Sequence, residues 1–136
     1  MYLLNQVNQS LRSALNIRMR EFKITGLQYT ILTVVRSYKG ISSAELSRRF
    51  FVTPQTMNET VTGMERRGLL ERREQQSNKR ILVAFLTLEG EELLKKCDSI
   101  ADEIDTEAFG DMSDEDFKTL RELLRDRLKK QRNETR

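Results

Sequence analysis

The sequence has no histidine, no tryptophan, one cysteine and one proline among its 136 residues. Without histidine there is no Ser-His-Asp triad and no Cys-His pair, and zinc sites rich in His or Cys are excluded. Cys97 alone cannot close an internal disulfide, which fits a reducing compartment. No apolar run reaches the roughly 18 residues of a membrane span. Met1-Tyr2-Leu3-Leu4-Asn5-Gln6 lacks the basic-then-apolar pattern of a secretory leader, so a cytoplasmic location without membrane association is expected. No glycine-rich loop of the GxxxxGK[ST] type is present to cradle phosphates. An enzyme is therefore not expected, nor is a cofactor or a metal.

Acidic residues are scarce in the front of the chain. Residues 1–88 hold 14 Lys/Arg against 6 Asp/Glu, whereas residues 89–136 hold 10 against 15. A basic front and an acidic rear suit a chain whose front meets a polyanion.

Apolar residues recur at helical spacing. Leu4, Val7, Leu11, Ala14 and then Ile17 or Arg18 predict one stripe on a first helix. Thr25-Gly26-Leu27-Gln28 reads as a capping box, opening a helix that buries Leu27, Ile31, Leu32 and Val35 and ends before Lys39-Gly40. Ser42-Ser43-Ala44-Glu45 reads as a second box, opening a short helix through Phe50. Thr53-Pro54 starts the next, since proline at a first helical position forfeits no hydrogen bond. Met57, Val61 and Met64 face inward, and Gly68 stops the helix in a left-handed conformation. Leu69–Arg73 and Ile81–Leu86 read as two strands of a hairpin around the polar turn 75–79. Thr87 caps a helix with Leu93 or Leu94, Cys97, Ile100 or Ala101, Ile104 and Ala108 on one stripe, broken at Gly110. Ser113 opens a last helix carrying Phe117, Leu120, Leu124 and Leu128, and the polar tail from Lys129 is expected to fray.

Residues 46–61 meet the demands of a helix-turn-helix: an apolar contact between two short helices, a small residue at the crossing and a polar outer face. Leu46, Phe50, Val52, Met57 and Val61 supply the contact and Ser47 the small residue. Phe51 stands where many such turns carry glycine, so a different backbone path is expected. Pro54, Gln55, Thr56, Asn58, Glu59 and Thr62 form the candidate reading face. Gln and Asn suit adenine N6 and N7, Thr a thymine methyl, and Glu cytosine N4. Glu59 is awkward beside phosphates and is expected to orient a neighbouring arginine. Ser43, Arg48, Arg49, Arg66 and Arg67 suit phosphates, which fix position without reading sequence. The hairpin offers a basic tip, Asn78-Lys79-Arg80, suited to the minor groove, with Arg72 and Arg73 on its incoming strand.

These residues resemble a bacterial family, the MarR-type winged helix-turn-helix regulators. The most specific stretches are Met64-Glu65-Arg66-Arg67-Gly68-Leu69-Leu70-Glu71-Arg72, Asn78-Lys79-Arg80 and Leu86-Thr87-Leu88-Glu89-Gly90. They follow the family's Leu-Glu-x-x-Gly-Leu-Val-x-Arg, its wing Asp-x-Arg and its Leu-Thr-x-x-Gly. Arg80 matches the wing arginine; Asn78 replaces the aspartate that orients it, which implies a weaker hold. The resemblance implies six helices, a wing and a dimer built from the first and last two helices.

The expected fold is thus mainly α with a small β-wing: a winged helix-turn-helix flanked by N- and C-terminal dimerisation helices. The expected divisions are 1–24 (dimerisation), 25–88 (DNA binding) and 89–136 (dimerisation). Leu4, Val7, Leu11, Ile104, Phe117, Leu120 and Leu124 are the candidate homodimer contacts; the alternative is that these helices fold back on their own domain. The expected function is a regulator, by default a repressor, that binds a palindromic operator in double-stranded DNA. The resemblance also implies a small-molecule effector between the two parts. Phe22, Tyr29 and Tyr38 are its candidate lining, with core packing as the alternative. Cys97 is expected to act as a small buried hydrophobe. The competing function is a dimeric winged-helix protein-interaction adaptor without sequence-specific DNA binding, for which Glu59 and Asn78 speak.

Overall fold

The helices begin where a hydroxyl can satisfy a free amide. In a computed structural model, which describes residues 1–134, α1 spans Tyr2–Arg18 and is followed by a 3-10 turn at Arg20–Phe22. Helix α2 covers Gly26–Tyr38. Its capping box is complete: Thr25 Oγ1 accepts from the Gln28 amide at 3.1 Å and Gln28 Oε1 accepts from the Thr25 amide at 3.0 Å. Ser42 caps α3 (Ser43–Phe50), but only half of that box forms, because the Glu45 carboxylate pairs with Arg49 one turn on. Thr53 caps α4 (Pro54–Arg66), with Pro54 in its first turn. Thr87 caps α5 (Leu88–Phe109), and the Ser113 hydroxyl accepts from the Asp116 amide at the start of α6 (Asp114–Glu134). The fraying expected from Lys129 to Arg136 does not form over the described residues; positions 135 and 136 lie outside them. The helix continues to Glu134, with Lys130 and Glu134 paired one turn apart.

Strands β2 (Leu70–Glu74) and β3 (Leu82–Leu86) make the hairpin, in register from Leu70 opposite Leu86 to Glu74 opposite Leu82. A third strand, β1 (Ile41–Ser42), pairs antiparallel with β3 and completes a sheet of order β1-β3-β2. Two residues cannot display a period-2 pattern, so this strand was invisible to the alternation argument.

Between α3 and α4 the chain turns at Phe51, with φ 54° and ψ 39°. The expectation of a different path is therefore corrected: the phenylalanine takes the left-handed turn that glycine usually occupies. The crowded Cβ costs about 1–2 kcal/mol. Gly68 ends α4 with φ +74°, and its amide donates to the Glu65 carbonyl while that of Leu69 donates to the Met64 carbonyl. This paired closure leaves two of the helix's last carbonyls satisfied.

One hydrophobic cluster joins α1 through α5. Leu15 and Met19 reach it from the first segment, Ile31, Leu32 and Val35 from α2, Met57, Val61 and Met64 from α4, and Leu94 and Cys97 from α5. The front half of α5 thus shares the core of the expected DNA-binding segment. Neither α1 nor α6 contains a buried residue; Leu4, Val7, Phe117 and Leu124 are exposed, and Leu11 and Leu120 half-buried. Ile104 is different: its own chain already buries it, so it is corrected from the exposed stripe to the interior. Among the described residues no helix is long and apolar enough to cross a membrane.

At the foot of the sheet the chain closes a tight corner. The Thr87 amide donates to the Leu69 carbonyl at 3.2 Å, its hydroxyl to the Gly68 carbonyl at 2.5 Å, and a Cβ on Gly90 would lie 2.0 Å from the Leu69 oxygen. Backbone cannot yield as a flexible side chain can. Gly90→Ala should therefore destabilise the fold by at least about 2 kcal/mol, read as a lower urea midpoint; an unchanged midpoint would show that the corner is looser than this.

Candidate nucleic-acid interface

Helices α3 and α4 cross at Ser47, which is 4% exposed and donates its hydroxyl to the Ala44 carbonyl. Leu46, Met57 and Val61 are buried at the contact, with Phe50 and Val52 packed at its edge. The opposite face of α4 presents Pro54, Gln55, Thr56, Asn58 and Glu59 to solvent, with Thr62 half-buried. Glu59 accepts from Gln55 Nε2 at 3.4 Å, so its partner is that amide and not an arginine.

A single guanidinium organises this face. Arg72, expected as a DNA contact on the incoming wing strand, turns inward from β2. Its Nε and Nη2 donate to Glu65 Oε1 at 3.3 and 3.0 Å, its Nη1 to Asn58 Oδ1 at 3.0 Å, and its Nη2 also to Thr62 Oγ1 at 3.1 Å. The Arg72 amide reaches Glu65 Oε2 at 2.9 Å. An arginine has only donors, so the Asn58 carbonyl oxygen must face it, and the Asn58 amide group is left for the solvent side. The hydrogen bonds from the Arg72 side chain hold the Glu65 carboxyl below the usual carboxylate range. Burial opposes them, and the Arg72 amide and charge reinforce them.

The phosphate candidates divide. Arg48 and Arg66 are exposed, and Ser43 is half-buried in the first turn of α3. Arg49 pairs with Glu45 and lies 4.2 Å over the Tyr38 ring. Arg67 donates to the Lys23 and Phe22 carbonyls at 2.6 and 3.1 Å, tying the end of α4 to the 3-10 turn. On the wing, Arg73 pairs with Glu71 and sits 4.9 Å over Phe85. Lys79 and Arg80 are exposed at the tip, where Asn78 Oδ1 accepts from the Arg80 amide at 3.1 Å. Asn78 thus shapes the turn through main chain.

The three aromatic candidates for an effector site are not brought together. Phe22 and Tyr29 pack against the core, whereas Tyr38 lies under Arg49, about two and a half turns further along α2. The Tyr29 hydroxyl donates to Asp98 Oδ1 at 2.7 Å, and Arg36 donates to both Asp98 oxygens. Burial, the Asp98 hydrogen bond and its charge push the tyrosine well above its ordinary value. Burial also raises the Asp98 carboxyl, but the hydrogen bonds from Arg36 and Tyr29 outweigh it and leave its pKa lowered. Sequence reasoning missed this cluster: Tyr29 and Arg36 share one face at seven-residue spacing, but nothing local points to Asp98. Next to it, Cys97 is fully buried; burial first, then the charges of Asp98 and Glu21, push its thiol up to about 11.

Two crossed helices with a polar outer face, followed by a basic hairpin, define a winged helix-turn-helix. A family model described as the MarR family matches residues 22–81. An HTH-type transcriptional repressor of Mycobacterium tuberculosis is 30% identical over 126 residues, covering 90% of this chain and 91% of the relative. Among solved structures, the S. aureus MepR–DNA complex is similar with a TM-score of 0.80 at 21% identity, covering 95% of this chain and 96% of the other. CouR from Rhodococcus jostii, bound to p-coumaroyl-CoA, is similar with a TM-score of 0.85 at 21% identity, covering 93% and 90%. The chain belongs to the MarR family of transcriptional regulators.

Two outcomes follow for this region. Because the Glu65 pKa is depressed in the folded state, its contribution to stability is complete above the ordinary glutamate value of about 4.3 and is lost as pH falls through the folded value. The stability gap between the parent chain and Glu65→Gln should be constant near neutrality and shrink below about pH 4; a gap that widens in acid would refute the assignment. The Cys97 thiol should resist an aromatic disulfide reagent at neutral pH until the chain is unfolded.

Proposed function

We propose that this chain is a repressor that binds a palindromic operator in double-stranded DNA as a homodimer and is released by a small-molecule effector. Helix α4 enters the major groove and the Asn78-Lys79-Arg80 tip enters the adjacent minor groove. The observation that carries the reading is the outer face of α4, polar, exposed and braced from behind by Arg72, with Arg48, Arg66, Lys79 and Arg80 exposed around it. Likeness to a DNA-bound relative and to one holding p-coumaroyl-CoA supports the two binding roles.

The dimer reading draws on α1 and α6, neither of which contains a fully buried residue. Leu4 is 55% exposed, Val7 50% and Leu124 46%, on two long helices at the ends of the chain. Exposed apolar stripes of this extent mark an interface. A two-fold dimer through α1 and α6 sets the two reading helices about one DNA turn, roughly 34 Å, apart. In this reading residues 25–88 bind DNA while 1–24 and the rear of 89–136 join the two copies.

The Arg72 brace refines the base preference. Bidentate recognition of adenine needs both the oxygen and the amide of an asparagine. With its oxygen held by Arg72, Asn58 offers donors only, which suits guanine N7 and O6 or thymine O4. The Thr62 oxygen is likewise engaged, so this threonine supports the brace before it touches DNA.

Selection of binding sites from a random duplex pool tests the reading. The expected result is a palindrome with half-site centres about 10 base pairs apart. A folded, dimeric protein that enriches no motif would overturn it in favour of an adaptor. Asn58→Ala should cost about 1–3 kcal/mol at one base pair of each half-site. Arg48→Ala should weaken all duplexes alike and flatten the log–log salt slope by about 1.

A further inference from the structure

Helix α4 carries a free carboxylate on the face that would meet DNA. Glu59 is exposed there, and its one hydrogen bond among the described residues comes from Gln55 Nε2 at 3.4 Å. We infer that Glu59 reads the exocyclic 4-amino group of a cytosine in each half-site, so that DNA methylated on that amine is bound poorly. The inference rests on the DNA-binding reading above and names a chemical determinant of the site it selects.

The helix itself has no use for this charge. A carboxylate steadies a helix from its first turn, where the free amides lie, and the first turn of α4 holds no acidic residue. One turn beyond Glu59, where a lysine or arginine would pair with it, the chain has Gly63. A Cβ on Gly63 would meet nothing within 4 Å, so packing does not demand glycine there. Three other acids of the basic front, Glu45, Glu65 and Glu71, each pair with an arginine. Glu59 has no such partner among the described residues.

A lone carboxylate between the phosphate rows of a major groove about 12 Å wide weakens binding to every duplex unless a base offers it a donor. An ionised carboxylate only accepts, and the donors on the groove floor are the exocyclic amines of adenine and cytosine. Adenine sets its N7 acceptor beside the amine, where it repels a second acceptor. Cytosine carries no acceptor of its own beside N4, so it is the better match. Asn58 strengthens the choice. With its oxygen held by Arg72 it offers donors, and guanine, the partner of cytosine, presents two acceptors.

Base pairing uses one hydrogen of the cytosine amine and leaves the other facing the groove. A methyl group on that nitrogen replaces the groove-facing hydrogen. It removes the donor and sets an apolar group against a charge. A methyl group on C5 leaves the donor in place.

The test begins with the site that the full chain selects from the random duplex pool. Its affinity is then measured by fluorescence anisotropy with unmodified, N4-methylated or C5-methylated cytosines. At one cytosine of each half-site, N4-methylation should weaken binding about tenfold, and C5-methylation clearly less. Glu59→Ala should bind the unmodified and N4-methylated sites alike. It should also hold an unrelated duplex several-fold more tightly than the parent, an advantage that fades as salt rises. Glu59→Gln, selected afresh, should exchange that cytosine for adenine, because glutamine serves N6 and N7 together. Circular dichroism verifies that both variants are folded.

The inference is overturned if N4-methylation costs nothing at any cytosine, if C5-methylation costs as much, or if neither Glu59 variant alters the selected site. Each of those results comes with a recovered motif and leaves the regulator reading standing. A parent chain that selects no motif removes that reading and this inference together.

Discussion

The guanidinium of Arg72 is the constraint on which the reading apparatus depends. Its planar fork fixes the direction of every donor it carries. Those donors reach Glu65 at the end of α4, Asn58 and Thr62 on its polar side, and the backbone that carries them is the first wing strand. Between Glu65 and Arg72 the chain makes its left-handed turn at Gly68. Helix, turn and strand thereby form one rigid piece, and the angle between α4 and the wing is set by side-chain chemistry as much as by the apolar core beneath. Replacing Arg72 with lysine would keep the charge and lose the fork.

The uneven charge of the chain has an internal use beyond its long-range field. Arg18 of α1 pairs with Glu103 and Glu107 of α5, and Arg36 of α2 pairs with Asp98 and Glu91 of the same helix. Cations of the basic front are thus neutralised by carboxylates of the acidic rear. Such partly exposed pairs contribute little stability individually, but they fix which face of α5 meets α1 and α2. The positive field that remains is concentrated on the turn, the wing tip and the ends of α3 and α4.

Much of this was legible in the sequence because the signals were local. Thr25, Ser42, Thr53 and Thr87 each mark a helix start through a hydrogen bond three residues long, and Gly68 marks a stop that only its backbone freedom makes easy. The inward faces of α2 and α4 followed from spacing alone. What escaped were arrangements that depend on distant partners. The inward turn of Arg72 requires knowing that the strand folds back over its own helix. Asp98 meets Tyr29 and Arg36 from sixty or more residues away. Phe51 misled for a different reason: steric preference argued against a left-handed phenylalanine, and the packing of α3 on α4 imposed it. Ile104 was read as part of an outward stripe because a helix with apolar residues on two adjacent faces shows only one periodicity.

Helix α5 has a mechanical consequence of its own. It starts at the corner where Thr87 and Gly90 lock onto Gly68 and Leu69, and it runs 22 residues to Phe109, a length of about 33 Å. It is therefore a lever hinged beside the wing, with its far tip at the edge-on contact of Phe109 with Phe117 of α6. Tilting a rod of that length by about a tenth of a radian displaces its tip by roughly 3 Å, close to the ~3.4 Å rise of one base-pair step. In the two-fold assembly proposed above, a tilt of that size would carry one reading head about one base-pair step relative to the second.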